Sequence, residues 1–436
     1  MSDQNLRKRV VITGVGIFSP IGIGVEPFWQ GLVTGKSGIH PIDGMSCTAL
    51  PQNVGSEVKE FTESSAKKVY LKQQRKSIKV MCREVQLGVA SAKLAVENSG
   101  LDVEQIDRGR LGVDFGANQM FSPPQALLDG CNACIEGDDR RFNFEKWGTR
   151  GLGGMEPLWL LKYLPNMPAC HIAIAADARG PNNSLTHAEA SANLAMGEAF
   201  RIIVRGSADM MIAGSTGSRL HPTHCMHAVL WDDLAHGENP PEQWCRPFDL
   251  HRTGQILGEG SCSFIFEEES HARNRNATIL GTILGTGSSC VIDRQGRANI
   301  CAALIIAMRN ALSDADLSPA DVGHVNAHGL GTIRCDINEA AAIHNVFGKR
   351  AETVPVTALK SCLGNSGAGA GTLELAGSLM ALKHGFVPAT LNYESPDPAC
   401  ILNIVHTKPL PMTNKIVLNI NVTSQGQASA LVVCGA

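Results

Sequence analysis

Four side chains of metal-binding type, His221, His224, Cys225 and His227, fall within one seven-residue stretch. Their three-residue spacing would set imidazoles on one helical face, where a borderline cation such as zinc takes nitrogen and sulfur ligands. No other part of a metal motif accompanies them, so the stretch reads as a polar turn after Pro222 and no metal is expected. The glycine-rich runs at residues 14–24, 151–154 and 364–371 could bring backbone amides close to a phosphate, but none closes with Gly-Lys-Ser/Thr. They read as tight turns between periodic segments. The 14 cysteines are scattered through a chain large enough to need no disulfide staples, and are expected to be reduced and mostly buried.

The elements that must position any such chemistry alternate between two periods. Short β-branched runs at residues 10–13, 210–213 and 430–433 alternate with helical patterns at 77–98 and 302–313. This predicts parallel strands crossed by helices around a layered core, and so an α/β class. The composition is globular: 436 residues, 44% hydrophobic, 18% charged, with a net charge of -3. That balance gives no reason for affinity to nucleic acid or an anionic membrane. The Arg-Lys-Arg cluster at residues 7–9 precedes an apolar run broken by Gly14, Gly16 and Pro20, without a cleavage pattern after it. No apolar stretch reaches the ~18 residues of a spanning helix. A cytoplasmic protein without membrane insertion is expected.

A series of motifs runs through the whole chain. Val10-Val11-Ile12-Thr13-Gly14-Val15-Gly16, Phe28-Trp29 and Gly35-Lys36-Ser37-Gly38-Ile39 are followed by Arg246-Pro247-Phe248-Asp249 and Gly258-Glu259-Gly260. Then come Val325-Asn326-Ala327-His328-Gly329, Asp336 with Glu339, Lys360-Ser361, and Asn392 with Pro396-Asp397-Pro398. In order and spacing these resemble the elongating β-ketoacyl-acyl-carrier-protein synthases. The resemblance implies the thiolase fold, with duplicated halves in a five-layered α/β/α/β/α arrangement. It places the halves at residues 1–268 and 269–436, and the site between them in a dimer. Members of that family perform decarboxylative Claisen condensation: a cysteine holds the acyl chain while two basic side chains stabilise enolate and oxyanion.

Carried over residue by residue, the resemblance puts Glu189, within the loop of residues 180–191, where the cysteine belongs. Peptide dipoles at a helix N-terminus favour a carboxylate by ~0.3–1 kcal/mol, but an acyl anhydride there is too labile to carry a growing chain. His328 matches the first catalytic histidine, Asn365 stands in place of the second, and Lys360 with Glu339 is expected as a supporting ion pair. Thr332 keeps the second pantetheine-contacting threonine, while Leu330 replaces the first. The phenylalanine gate of the family gives way to Asn-Val-Thr-Ser-Gln-Gly-Gln at residues 421–427, where Ser424 is a candidate substrate contact, and Gln255 replaces a phenylalanine. The implied substrate rides on the phosphopantetheine of an acyl carrier protein, with no bound cofactor. Beside an unspecialised, inactive paralogue that retains the fold alone, two functions stay open. One is a chain-length-factor-like subunit in fatty-acid or polyketide synthesis, in a homodimer or in a heterodimer with a cysteine-bearing ketosynthase. The other is a malonyl-thioester decarboxylase, or a non-covalent acyl-transfer or hydrolytic enzyme, using Glu189, His328 and Asn365.

Overall fold

The structure, a computed structural model, describes residues 7–42 and 50–436. Its centre is one strand pattern used twice. In the first half β1 (Val10–Ser19), β2 (Leu111–Ala117), β3 (Asn182–Leu185), β4 (Met210–Ser218) and β5 (Glu259–Glu268) lie in the order β3-β2-β4-β5-β1. In the second, β6 (Gly281–Cys290), β7 (His324–Asn326), β8 (Pro355–Thr357), β9 (Ile416–Val422) and β10 (Gln427–Gly435) repeat it as β8-β7-β9-β10-β6. The pairs β3/β2, β2/β4, β8/β7 and β7/β9 are parallel. The remaining pairs, β4/β5, β5/β1, β9/β10 and β10/β6, are antiparallel. Val10–Ile12 of β1 meets Gly281–Ile283 of β6 edge to edge, which joins the halves into one 12-stranded sheet.

Six helices complete the layers: α1 (Arg83–Ser99), α2 (Met167–Ala176), α3 (Ser191–Val204), α4 (Ile300–Asp314), α5 (Ile333–Phe347) and α6 (Ala370–His384). α1 and α2 cover the outer face of the first half, and α4 and α5 that of the second. α3 and α6 touch each other and strands of both halves, forming the middle layer. Residues 370–382 of α6 are buried on every face, as a central helix requires. The five α/β/α/β/α layers inferred from the sequence are therefore present.

The first strand of each half owes its fit to missing side chains. A Cβ on Gly16 of β1 would lie 2.1 Å from the Ser91 carbonyl of α1, and one on Gly287 of β6 would lie 2.2 Å from the Ala307 carbonyl of α4. Helix backbone here rests directly on strand backbone.

The helix expected over residues 77–98 begins at Arg83. Ile78–Val80 makes a single tight turn, and Met81 and Cys82 are extended. The reason is tertiary: the Arg83 guanidinium is drawn onto Glu259 at 2.6 Å, and Gln86 Nε2 donates to the Met81 carbonyl at 2.9 Å. Residues 302–313 lie inside α4 as expected. Among the described residues no disulfide joins the cysteines and only Cys290 is exposed, while Cys47 lies outside the described residues. One spacing overlooked in the sequence is Cys131-x-x-Cys134. No helix of the described residues is long and apolar enough to cross a membrane.

Two stability predictions arise here. Gly16→Ala should cost about 1–3 kcal/mol by overpacking, read as a lowered denaturation midpoint in urea. Asp114 on β2 is fully buried. Burial first, then the charge of Glu198, push its pKa up to about 8, with Asn183 and Arg205 partly opposing. Because the folded value lies above the ordinary 3.8, the folded state holds this proton more tightly. Stability is full below about pH 4 and is lost as pH rises to about 8. Asp114→Asn should flatten that decline, so that the urea midpoint of the variant near pH 8 exceeds that of the parent.

Candidate active site

Glu189 sits in the one-turn segment Ala188–Ala190 that leads into α3. Ala188 takes a φ of 44°, a left-handed conformation that a residue with a Cβ holds only when its surroundings enforce it. The enforcing contacts are local and long-range. Ser191 Oγ accepts from the His187 amide at 2.7 Å, and Ser429 Oγ of β10 donates to the Ala190 carbonyl at 3.0 Å.

The Glu189 carboxylate is engaged by its neighbours. Asn365 Nδ2 donates to Glu189 Oε1 at 3.0 Å, and Arg219 Nη1 lies 3.9 Å from the same oxygen. Asn365 Nδ2 also donates to Gln255 Oε1 at 2.7 Å, and that oxygen accepts from Arg219 Nη1 at 2.8 Å. Arg219 is anchored in turn by Asp232 at 2.5 Å. A side-chain amide nitrogen has two hydrogens, and both hydrogens of Asn365 are taken by Glu189 and Gln255. Asn365 Oδ1 is occupied as well, accepting from the Gly367 amide at 2.9 Å.

His328 follows β7. Its amide and that of Gly329 donate to Glu339 Oε1 and Oε2 at 2.6 and 2.8 Å. Lys360 Nζ donates to the His328 carbonyl at 2.7 Å and lies 3.2 Å from His328 Nδ1. The expected Lys360–Glu339 ion pair is not formed: Lys360 pairs with Glu374 of α6. Glu339 has both oxygens committed to backbone amides, and burial pushes its pKa up to about 8 despite them. Glu374 accepts in addition from Asn421 Nδ2 at 2.7 Å. Burial, followed by the Lys360 charge, holds His328 well below the usual imidazole range, so the ring is neutral. With the ammonium donating to Nδ1, the ring proton sits on Nε2.

Glu189, His328, Thr332 and Ser424 come together around one cleft of about 140 Å³, with Gln255, Leu330, Asp232 and Asp233 also in its wall. Thr332 serves as N-cap of α5, its hydroxyl accepting from the Cys335 amide at 3.4 Å. Ser424 is exposed in the tight turn between β9 and β10, where the Gly426 amide donates to the Thr423 carbonyl at 3.1 Å. Asn365 and Lys360 are buried behind Glu189 and His328. Charges of both signs line the cleft: Glu189, Asp232, Asp233 and Arg334 are in its wall, and Arg219 pairs with Asp232 and lies 3.9 Å from Glu189.

Arg219, Asp232 and Glu374 had not been singled out from the sequence. Glu374 carried a signal that could have exposed it: it is the only acidic residue in a helix whose first thirteen residues are all buried. The residues after Pro222 correct another expectation, since they form a helix, Pro222–Trp231, and not a turn. His221 caps it, accepting from the Thr223 amide at 3.3 Å, and the rings of His224 and His227 pack on Phe121 at 4.8 and 5.6 Å between centroids. Burial drives His224 down to about 3. Among the described residues no group of three or more His, Cys, Asp or Glu side chains gathers to hold a metal ion.

Comparison with known proteins adds a lineage to this geometry. Residues 7–272 match the family description "Beta-ketoacyl synthase, N-terminal domain", and residues 280–394 match "Beta-ketoacyl synthase, C-terminal domain". The chain is 33% identical over 414 residues, 95% of each protein, to 3-oxoacyl-[acyl-carrier-protein] synthase 2 of Coxiella burnetii. It is 31% identical to the ketoacyl synthase alpha subunit of the tetracenomycin polyketide synthase of Streptomyces glaucescens, over 99% of this chain and 98% of that one. Among solved structures, the ishigamide ketosynthase/chain length factor superposes with a TM-score of 0.84 at 27% identity, covering 99% of this chain and 100% of that one. A type II polyketide synthase acyl carrier protein in complex with its ketosynthase gives a TM-score of 0.83 at 25% identity, covering 99% and 100%.

The bonding around Glu189 separates two substitutions. Glu189→Gln retains an acceptor for Asn365 and should change stability by less than about 1 kcal/mol. Glu189→Leu leaves Asn365 Nδ2 short of a partner and should cost about 1–3 kcal/mol. Thermal unfolding of both variants beside the parent measures the difference.

Proposed function

Because this chain belongs to the β-ketoacyl synthase family, we propose that it is a non-condensing member that works beside a cysteine-bearing ketosynthase in the manner of a chain length factor. It acts in fatty-acid or polyketide synthesis, in the cytoplasm, on chains carried by the phosphopantetheine of an acyl carrier protein. The observation that carries this reading is the full commitment of Asn365. Its two N–H groups bind Glu189 and Gln255, so neither is left for a developing enolate oxygen, which is the service the position owes to condensation. Glu189 stands where the family resemblance puts the thiol, and it is tied into protein–protein hydrogen bonds instead of facing an acyl donor. The Glu189 carboxylate, in the cleft wall, opposes a malonyl carboxylate placed beside it. The pairing with a competent synthase is supported by the structural neighbour named as a ketosynthase/chain length factor.

One observation favours a second reading. His328 is neutral, backed by Lys360, and part of the cleft wall, an arrangement suited to stabilising a thioester enolate after loss of carbon dioxide. A single experiment decides between them. The purified chain is incubated with malonyl carrier protein, alone and with a cysteine-bearing ketosynthase that it is tested for binding, and carbon dioxide and acetyl carrier protein are followed by mass spectrometry. The expected result is co-purification with the synthase and no turnover by the chain alone. Carbon dioxide release by the chain alone that His328→Ala abolishes would overturn the partner reading in favour of a decarboxylase.

A further inference from the structure

Away from the cleft, Cys131 and Cys134 lie three residues apart in one turn. Cys131 lies in the short helix Leu128–Asn132 and Cys134 in the turn that ends it, with the Cys134 amide donating to the Cys131 carbonyl at 3.0 Å. A backbone bond over three residues keeps the two Cα atoms within roughly 7 Å. It also puts both side chains on the same side of the turn, a spacing that overlaps the ~4.4–6.8 Å a disulfide takes. Cys131 is partly exposed and Cys134 is buried, so one thiol can be reached from solvent and the other lies behind it.

The pair stands at the root of a projecting segment. The Cys134 carbonyl accepts from the Asn143 amide at 2.9 Å, and the strands Ile135–Glu136 and Arg141–Phe142 pair immediately beyond it. Cys134 Sγ also packs beside Gly151 and Trp147, at 3.0 Å from the point a Gly151 Cβ would occupy. The hairpin leads to Phe142 and Phe144, which are 47% and 76% exposed.

We propose that Cys131 and Cys134 form a thiol–disulfide exchange site, converted to an intramolecular disulfide by a low-molecular-weight disulfide of the glutathione class. The Cys131 thiolate attacks one sulfur of the small disulfide, whose S–S bond breaks to release one small thiolate. The Cys134 thiolate then attacks the Cys131 sulfur of the mixed disulfide and releases the second. Two protein thiols are oxidised and one small disulfide is reduced to two thiols, with the protein's two protons passing to the departing thiolates. The new bond closes the four-residue turn and fixes the root of the hairpin. This site is independent of the proposed partner function.

The test uses the full chain equilibrated in buffers of graded oxidised-to-reduced glutathione ratio, quenched in acid, alkylated and mapped by mass spectrometry. The peptide holding both residues should pass from two alkyl groups to none, with loss of two hydrogens, as the buffer becomes more oxidising. Cys134→Ser should instead retain glutathione on Cys131, and Cys131→Ser should leave Cys134 alkylated throughout. The inference is overturned if the parent chain keeps both alkyl groups in the most oxidising buffer, or if it stops at a glutathione adduct on Cys131. The titration of the parent chain decides the matter even where a variant fails to fold.

Discussion

An ammonium group shut inside protein has to meet its counter-charge where it stands, and Lys360 imposes that condition on the centre of this molecule. Lys360 and Glu374 are each 1% exposed, and removing either would leave the other charged and unpaired at a cost of about 3–5 kcal/mol. The pair therefore fixes its surroundings. Glu374 is held by Asn421, Asn421 accepts from Asn193 of α3 at 2.9 Å, and Asn193 accepts from Asn419 at 2.9 Å. This amide chain runs from α6 of one half to α3 of the other, one turn beyond Glu189. The two halves are thus registered by hydrogen-bond geometry as well as by apolar packing, and the turn that presents Glu189 inherits that precision.

The same charge sets the chemistry of the cleft. Burial first, and then Lys360 lying against His328 Nδ1, keep the imidazole neutral, while the pairing of Lys360 with Glu374 leaves Glu339 to hold the backbone at His328 and Gly329. On the other side, Arg219 links Gln255 and Asp232 and lies near Glu189. One wall is a dry donor site of the kind a condensing enzyme uses. The other is a polar plug. The two walls share one cleft.

The sequence made the α/β class legible through its strand and helix patterns, as at residues 302–313 inside α4, and the layering through the family resemblance of its ordered motifs. The expectation of parallel strands fails at residues 10–13 and 430–433, which pair only antiparallel because each lies between antiparallel neighbours. It was less legible where a boundary depends on distant side chains: Arg83 starts α1 because Glu259, far along the chain, holds it. Partner choice was likewise hidden. Glu339 and Glu374 are both buried glutamates on helices near Lys360, and only the fold reveals that one faces backbone amides and the other the ammonium. Arg219, Asp232 and Gln255 converge on Asn365 and Glu189 from separate segments, so no local pattern announces them. The histidines after Pro222 misled for a different reason: scored as polar, they in fact pack their rings on Phe121.

The sharing of Asn365 between Glu189 and Gln255 has a historical consequence. A thiol placed at position 189 would be a poor acceptor, leaving one amide hydrogen of Asn365 without a good partner at a cost of about 1–3 kcal/mol, while Gln255 kept hold of the other. A change at 255 alone would disturb Arg219 without supplying a nucleophile. A route to condensation thus requires several codons to change together, each step alone being harmful or idle. The plug thus acts as a ratchet: a single change at 189 or 255 loses hydrogen bonds before it gains a nucleophile.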